Sequence, residues 1–195
     1  MNANTTSQPG ADNDLPKPPG LFRRLASGFY DALIVLAICM LATFLVMPFT
    51  RGHALESFYV GSGGLKLLYQ LGLLTLGYLF FAGFWTHGGQ TICMRTWKLR
   101  VRRLDGAALD WYRALLRYLA MLVPWLLLLL GIELLLSAAR MAGAWTWLAG
   151  GGVVLLIAVA GFLWPVFDRQ GLAWHDRLSG TYLLSSGKPD KTPPA

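Results

Sequence analysis

Four runs of apolar residues dominate the hydrophobic pattern of the chain. They lie at about residues 25–49, 65–85, 114–136 and 144–167. A helix of ~20 residues crosses the ~30 Å of hydrocarbon in a bilayer and satisfies its backbone hydrogen bonds internally. The pattern therefore predicts an all-α membrane protein built as a four-helix transmembrane bundle.

The two ends of the chain are polar and rich in proline, glycine and serine. Segments of this kind bury too little apolar surface to order themselves. We therefore expect a disordered cytoplasmic tail over residues 1–19 and a flexible tail over residues 184–195. Residues 20–183 then form one transmembrane domain.

Composition and charge agree with this class and orient the bundle. Of the 195 residues 55% are hydrophobic and 14% are charged, whereas soluble domains have about 25% charged residues. The formal charge of +7 is concentrated before the first span, in residues 86–113 and after residue 168, and the other connections hold only Arg51 and Arg140, with Lys66 at a span edge. Basic loops stay in the cytoplasm, so both termini and the middle loop are predicted to be cytoplasmic and to meet anionic lipid headgroups. No nucleic-acid partner is expected.

The connections between the spans contain further signals. Residues 98–104 alternate in polarity and are followed by Asp105-Gly106, which predicts a short strand and hairpin in the basic loop. Arg113 and Arg117 lie one helical turn apart and are expected at phosphate level, where their side chains can snorkel. Residues 168–181 are densely polar with interleaved apolar positions, which predicts a C-terminal cytoplasmic cap folded against the bundle.

Two features within the spans bear on helix packing. Pro124 lies inside the third run and is expected to kink that helix. Residues 150–152 are three consecutive glycines, which either let the fourth helix pack closely on a neighbour or form a loose helix start. The sequence leaves these two alternatives open.

Asp31 is an ionisable residue inside the first span, where an unpartnered charge is costly. Arg24 precedes it by seven residues on the same helix face, but its side chain leans away, toward the helix N-terminus. Asp31 therefore requires a donor from another helix, a loop or water. It is either an architectural hydrogen-bond acceptor or an ion or proton site.

The C-terminal segment offers a second group of polar side chains. His175, Asp176 and Arg177 supply a proton carrier, an acceptor and a cation. We predict one polar cluster at the cytoplasmic end of the bundle. Its members are Arg24, Asp31, Arg95, His175, Asp176 and Arg177.

Chemistry beyond this cluster has no support in the sequence. There is no enzyme motif and no metal-ligand spacing. Cys39 and Cys93 are predicted to lie in a span and in a basic loop, where a structural disulfide is not expected. The sequence predicts a protein that is not an enzyme and that uses no cofactor or metal.

The order of these motifs resembles that of the RDD family of bacterial membrane proteins. The resemblance covers nearly all of residues 20–183 and implies that Arg24, Asp31 and Asp176 are the family's naming residues. It also implies the bacterial plasma membrane as location, and it departs from the family at Cys93, where glycine is usual. The matching pieces are Phe22-Arg23-Arg24-Leu25, Asp31, Gly89-Gln90-Thr91, Met94-Arg95, Lys98-Leu99-Arg100-Val101, Leu104-Asp105-Gly106 and His175-Asp176-Arg177-Leu178-Ser179-Gly180-Thr181.

The family's molecular role is generally described as unknown, with transport often suggested, so the sequence supports two functional hypotheses. The first is a small ion-coupled transporter or permease for an ion or small molecule, and four spans favour a homodimer. The second is a non-transporting scaffold or accessory subunit, in which the Arg and Asp residues are structural. Lipid handling by the basic loop is a third and weaker hypothesis.

Overall fold

The computed structural model describes residues 18–50, 63–140 and 145–186. The two predicted tails lie almost entirely outside these residues. Helices are numbered α1 to α6 and strands β1 and β2 in chain order, and a short 3-10 helix, Met47–Thr50, follows α1. The elements are α1 Leu21–Val46, α2 Gly63–Gly88, α3 Ile92–Thr96, β1 Leu99–Arg103, α4 Trp111–Arg140, α5 Trp145–Phe167, α6 Trp174–Ser179 and β2 Thr181–Ser185.

Four of these helices, α1, α2, α4 and α5, are long and apolar enough to cross a membrane. Their most apolar windows have mean hydropathies of 1.6 to 2.4. Many of their large apolar side chains are exposed, including Leu68 and Leu156, and so broad an apolar surface suits contact with lipid. The predicted four-helix membrane bundle is confirmed. The helices extend past several of the predicted limits because hydropathy marks only the hydrocarbon-embedded part of a helix.

Small residues bring α4 and α5 together along their length. A Cβ atom placed on Gly131 would lie 2.7 Å from the side chain of Leu155, and one on Gly151 would lie 2.9 Å from that of Leu135. Ala158 is fully buried. The triple glycine therefore lies inside a helix and packs through its middle member, which resolves the alternative left open by the sequence. Helix α4 continues through Pro124 to Arg140.

The middle loop and the C-terminal segment form a cap over one end of the bundle, here called the capped end. Strand β1 pairs with β2 in antiparallel register, from Leu99 opposite Ser185 to Arg103 opposite Thr181. The predicted strand is present, but the hairpin is wrong because the partner strand comes from the C-terminal segment. Both strands bury alternate residues on one side, and this shared apolar face sets the register.

The buried core lies beneath this cap. Phe81 and Trp85 of α2 stack at 5.1 Å between ring centroids, and Tyr118 of α4 lies 5.9 Å from Phe81. Leu99 and Val101 of β1 pack against the same group. The core therefore fastens the cap to α2 and α4 and fixes the position of the polar residues beside it.

Candidate functional site

Helix α6 places Asp176 at the capped end of the bundle. The carboxylate is at the third position of the helix, where its Oδ2 accepts a hydrogen bond from the Ala173 N–H at 3.0 Å. The helix ends at Gly180, whose φ of 62° lies in the left-handed region that favours glycine. This short, well-terminated helix packs against α4. The C-terminal segment therefore folds against the bundle, as predicted.

Three potential cations surround Asp176. Arg117 of α4 makes a direct ion pair with Oδ1, Arg24 of α1 lies 3.6 Å from Oδ2, and Nε2 of His175 lies 3.8 Å from Oδ1. The side chains of Asp176, Arg117 and Arg24 are 1%, 3% and 9% exposed. We call these four residues the Asp176 cluster. It ties α1 and α4 to the cap through charges that water hardly screens.

The protonation states in the Asp176 cluster follow from burial and charge. Burial alone would raise the pKa of Asp176, but Arg117, His175 and Arg24, together with the Ala173 N–H, hold that pKa below its ordinary value. Burial lowers the pKa of His175 to about 4. The negative charge of Asp176 opposes this shift, and the positive charges of Arg117 and Arg24 add to it. At neutral pH the carboxylate is ionised and the imidazole is neutral.

Arg117 does not lie where the sequence predicts it. The sequence predicts that its side chain snorkels to the phosphates, but the structure places it inside the protein. Besides its ion pair with Asp176, it donates to Thr181 Oγ1 at 2.6 Å and lies 5.2 Å over the Trp85 ring. Its position within the apolar run, one residue before buried Tyr118, was an available signal. An arginine placed among buried residues requires a partner inside the protein.

Asp31 has a different environment from Asp176. It is 1% exposed, and Thr91 donates its hydroxyl hydrogen to Oδ2 at 2.6 Å. The Thr91 hydroxyl also caps α3 by accepting from the Met94 N–H at 3.1 Å. Burial, followed by the charge and hydrogen bonding of Asp31, raises the pKa of the nearby Cys93 thiol to about 11. The expectation that Asp31 takes its donor from outside α1 is confirmed, while Arg24 turns to Asp176.

A cavity of about 260 Å³ connects the two carboxylates. It lies between α1, α2, α4, α5 and the cap. Asp31 and Asp176 both line it, together with Arg24 and His175. Most of its wall is apolar. The wall includes Leu21, Leu25, Phe29, Val35, Phe81, Met121, Leu122, Trp125 and Phe162.

Two members of the predicted polar cluster lie outside it. Arg95 is exposed on α3, one residue after buried Met94, and so points about 100° away around the helix. Arg177 follows Asp176 in the same way, is 53% exposed and pairs with Asp168 at 2.5 Å. The structure therefore brings Arg24, His175 and Asp176 together, places Asp31 at the same cavity, and leaves Arg95 and Arg177 at the surface.

Residues that line this cavity carry polar atoms without partners. Oδ1 of Asp31, Oγ of Ser27, and Nε and Nη2 of Arg24 are buried and have no hydrogen-bond partner within the described ranges. Such groups are costly unless water or a ligand satisfies them. In the same ranges no three His, Cys, Asp or Glu side chains converge as metal ligands do. The arrangement can bind a charged or hydrogen-bonding molecule beside one free carboxylate oxygen.

The pKa of His175 leads to a prediction about stability. Because its folded value of about 4 is below the ordinary 6.5, the unfolded chain binds a proton first as the pH falls. The free energy of unfolding should be highest above pH 6.5 and should fall between pH 6.5 and 4 by up to ~3 kcal/mol. Thermal unfolding in detergent across this range checks it. The His175→Gln variant should show a smaller loss over this interval, and an unchanged loss would contradict the assignment.

Comparison with known proteins adds the family. A family model described as the RDD family matches residues 18–180. No curated protein and no solved structure matches the chain. The match spans α1 through α6 and includes Arg24, Asp31 and Asp176. With its four membrane-spanning helices, the chain belongs to the RDD family of integral membrane proteins.

Proposed function

We propose that the chain is a small transporter of the bacterial plasma membrane in which Asp31 exchanges a proton or another cation. The observation that carries the proposal is a buried carboxylate with one oxygen unpartnered, on a residue that lines a cavity inside the bundle. Ionisable residues within membrane spans are costly and commonly mark ion or substrate pathways. The protein acts without catalysing a covalent reaction.

Asp31 suits exchange better than Asp176 does. Asp176 has partners at both oxygens, including the ion pairs with Arg117 and Arg24. A carboxylate saturated in this way is held ionised and has no free position for a cation. Asp31 has no ion pair within the described residues, and the groups that hydrogen-bond with it, Thr91 and Cys93, are neutral. It can therefore take and release a cation without breaking an ion pair.

Transport by Asp31 can be measured in proteoliposomes. Wild-type protein should dissipate an imposed pH gradient when Na⁺ or K⁺ is added, and Asp31→Asn should lose at least about ten-fold in this rate, since an amide cannot bind a proton or cation in the same way. The asparagine oxygen still accepts the hydrogen bond from Thr91, so folding should be retained.

Asp105→Asn is the matched control, because Asp105 is exposed and pairs with Arg103 at the surface. It should transport like wild type. Equal transport by Asp31→Asn and wild type would refute the role of Asp31.

We also propose that the protein acts as a homodimer. The proposed orientation places both termini and the basic loop in the cytoplasm. Support for the orientation comes from the basic residues of β1, which lie at the capped end together with Arg113 and Arg177. A reporter fused after Arg103 should give a cytoplasmic signal in cells. A periplasmic signal there would reverse the orientation and place the cavity at the opposite membrane face.

A second candidate function is a scaffold or accessory subunit, and the saturated contacts of Asp176 favour it. If all naming residues are structural, Asp31→Asn should lower thermal stability as Asp176→Asn does. If Asp31 exchanges cations, only Asp176→Asn should do so. Measuring both variants in the same detergent separates the two functions.

A further inference from the structure

We propose that the cavity binds a zwitterion with an apolar body, its ammonium group at Asp31 and its anionic group at Arg24. This inference names a substrate class for the transporter proposed above and rests on that function. It starts from the unpartnered polar atoms on one face of α1. Those at Arg24 are hydrogen-bond donors, and those at Ser27 and Asp31 are acceptors.

The acceptor end consists of Asp31 and Ser27. They are four residues apart and so lie on the same face of α1, and each is 1% exposed. Asp31 Oδ1 and Ser27 Oγ have no partner among the residues that the structure describes. An ammonium group carries three donors and a positive charge, which fits two neighbouring acceptors and one negative charge.

The donor end is the guanidinium of Arg24, whose side chain is 91% buried, since it is 9% exposed. One nitrogen faces Asp176 at 3.6 Å, whereas Nε and Nη2 are unpartnered. These two nitrogens form one edge of the guanidinium fork, which matches a carboxylate or phosphate with two parallel hydrogen bonds. Arg24 therefore has an unoccupied edge for an anionic group.

The charges of the cavity favour a ligand that is neutral overall. Arg24 and Arg117 carry two positive charges, Asp176 carries one negative charge, and His175 is neutral. Asp31 supplies the second negative charge when it is ionised, and the total is then zero. An organic ligand with a single charge would leave one net charge in this largely apolar space, which is costly. A zwitterion satisfies both ends and leaves the total at zero.

The spacing of the two ends along α1 favours a bridging ligand longer than an α-amino acid. The Cα atoms of Arg24 and Asp31 are ~10 Å apart along the helix axis, and the arginine side chain leans further toward the N-terminus. A ligand that reaches both must separate its charges by a chain of several carbons. The wall beside the cavity is apolar, with Trp125 and Phe162 in edge-to-face contact at 5.4 Å. An ω-amino acid with an aliphatic chain has this chemistry.

The experiment is calorimetric titration of the protein in phosphatidylcholine nanodiscs, with protein-free nanodiscs as the blank. The probes are ω-aminooctanoate, octylamine and octanoate, which share one chain and differ only in their charged ends. We expect ω-aminooctanoate to bind about ten-fold or more tightly than either single-charge probe, since each end adds charge-assisted hydrogen bonds. γ-Aminobutanoate and leucine should bind more weakly, because they are too short to reach both ends.

Variants assign the two ends of the ligand. Asp31→Asn should reduce the affinity for ω-aminooctanoate to that of octanoate, and Arg24→Gln should reduce it to that of octylamine. Gly28→Leu should block binding without altering a charge, because Gly28 lines the cavity and has open space beside it. Gly72→Leu, at a glycine of α2 that also has open space, is the matched control and should bind like wild type.

The ligand series in the wild-type protein keeps the proposal testable even if Arg24→Gln fails to fold. Equal affinities for ω-aminooctanoate and octylamine, or full binding by Asp31→Asn, would overturn it. Proton transport that depends on Asp31 without zwitterion binding would refute the substrate class and leave the proposed function intact. Binding without any transport would refute the function and leave the binding site intact.

Discussion

Replacing Asp176 by asparagine should lower the free energy of unfolding by about 3–5 kcal/mol. The change removes the one negative charge between Arg117 and Arg24, whose side chains are 3% and 9% exposed. Two buried cations would then face each other without a counter-charge. Thermal and denaturant unfolding of the purified protein in detergent measures the loss.

Asp105→Asn is again the matched control. Asp105 pairs with Arg103 at 2.5 Å, but its side chain is 54% exposed, so water screens the pair. Its removal should leave the free energy of unfolding close to the wild-type value. If both variants lost the same stability, burial of the Asp176 cluster would not be the cause.

Replacing Gly89 by alanine should destabilise the fold by roughly 3 kcal/mol or more. Gly89 directly follows the last residue of α2 and has a φ of 68°, a region in which a residue with a Cβ atom is strained. That Cβ would also lie 2.6 Å from the carbonyl oxygen of Val101, and the Gly89 carbonyl accepts from the Val101 N–H at 2.7 Å. The clash is with backbone, so β1 would have to move.

Gly83→Ala is the matched control, because it makes the same change at a glycine inside α2. A Cβ at Gly83 meets no atom within 4 Å, and the residue is inside α2. Alanine favours helix over glycine, so stability should be unchanged or rise by up to ~1 kcal/mol. Equal losses at both glycines would show that the turn at Gly89 tolerates a side chain.

The membrane architecture was predictable because it depends on local composition. A run of apolar residues specifies a spanning helix without reference to the rest of the chain, so all four spans were found. The need of Asp31 for an external donor followed from an equally local rule, whereas the packing of Gly151 was one of two alternatives that the sequence left open. Membership in the RDD family also followed from short motifs.

The partners of the polar residues could not be predicted in this way, because they are distant in sequence. Thr91, which donates to Asp31, is 60 residues away, and Arg117 is 59 residues from Asp176. The pairing of β1 with the C-terminal strand is non-local in the same sense, and the local turn signal at Asp105-Gly106 suggested a hairpin instead. Arg95 and Arg177 were misplaced because their neighbours Met94 and Asp176 take the inward-facing positions.

The pairing of β1 with β2 also governs the order in which the protein is assembled. Strand β1 is synthesised before α4 and α5, and its partner follows both of them, together with Asp176. During synthesis Arg117 therefore enters the membrane region before its counter-ion exists, while the edge of β1 is unpaired. Insertion of the four helices must precede closure of the capped end. In a nascent chain halted before α6, the four helices would be inserted while Arg24 and Arg117 still lacked their counter-ion. Folding of α6 and β2 onto the bundle is therefore the step that completes the structure.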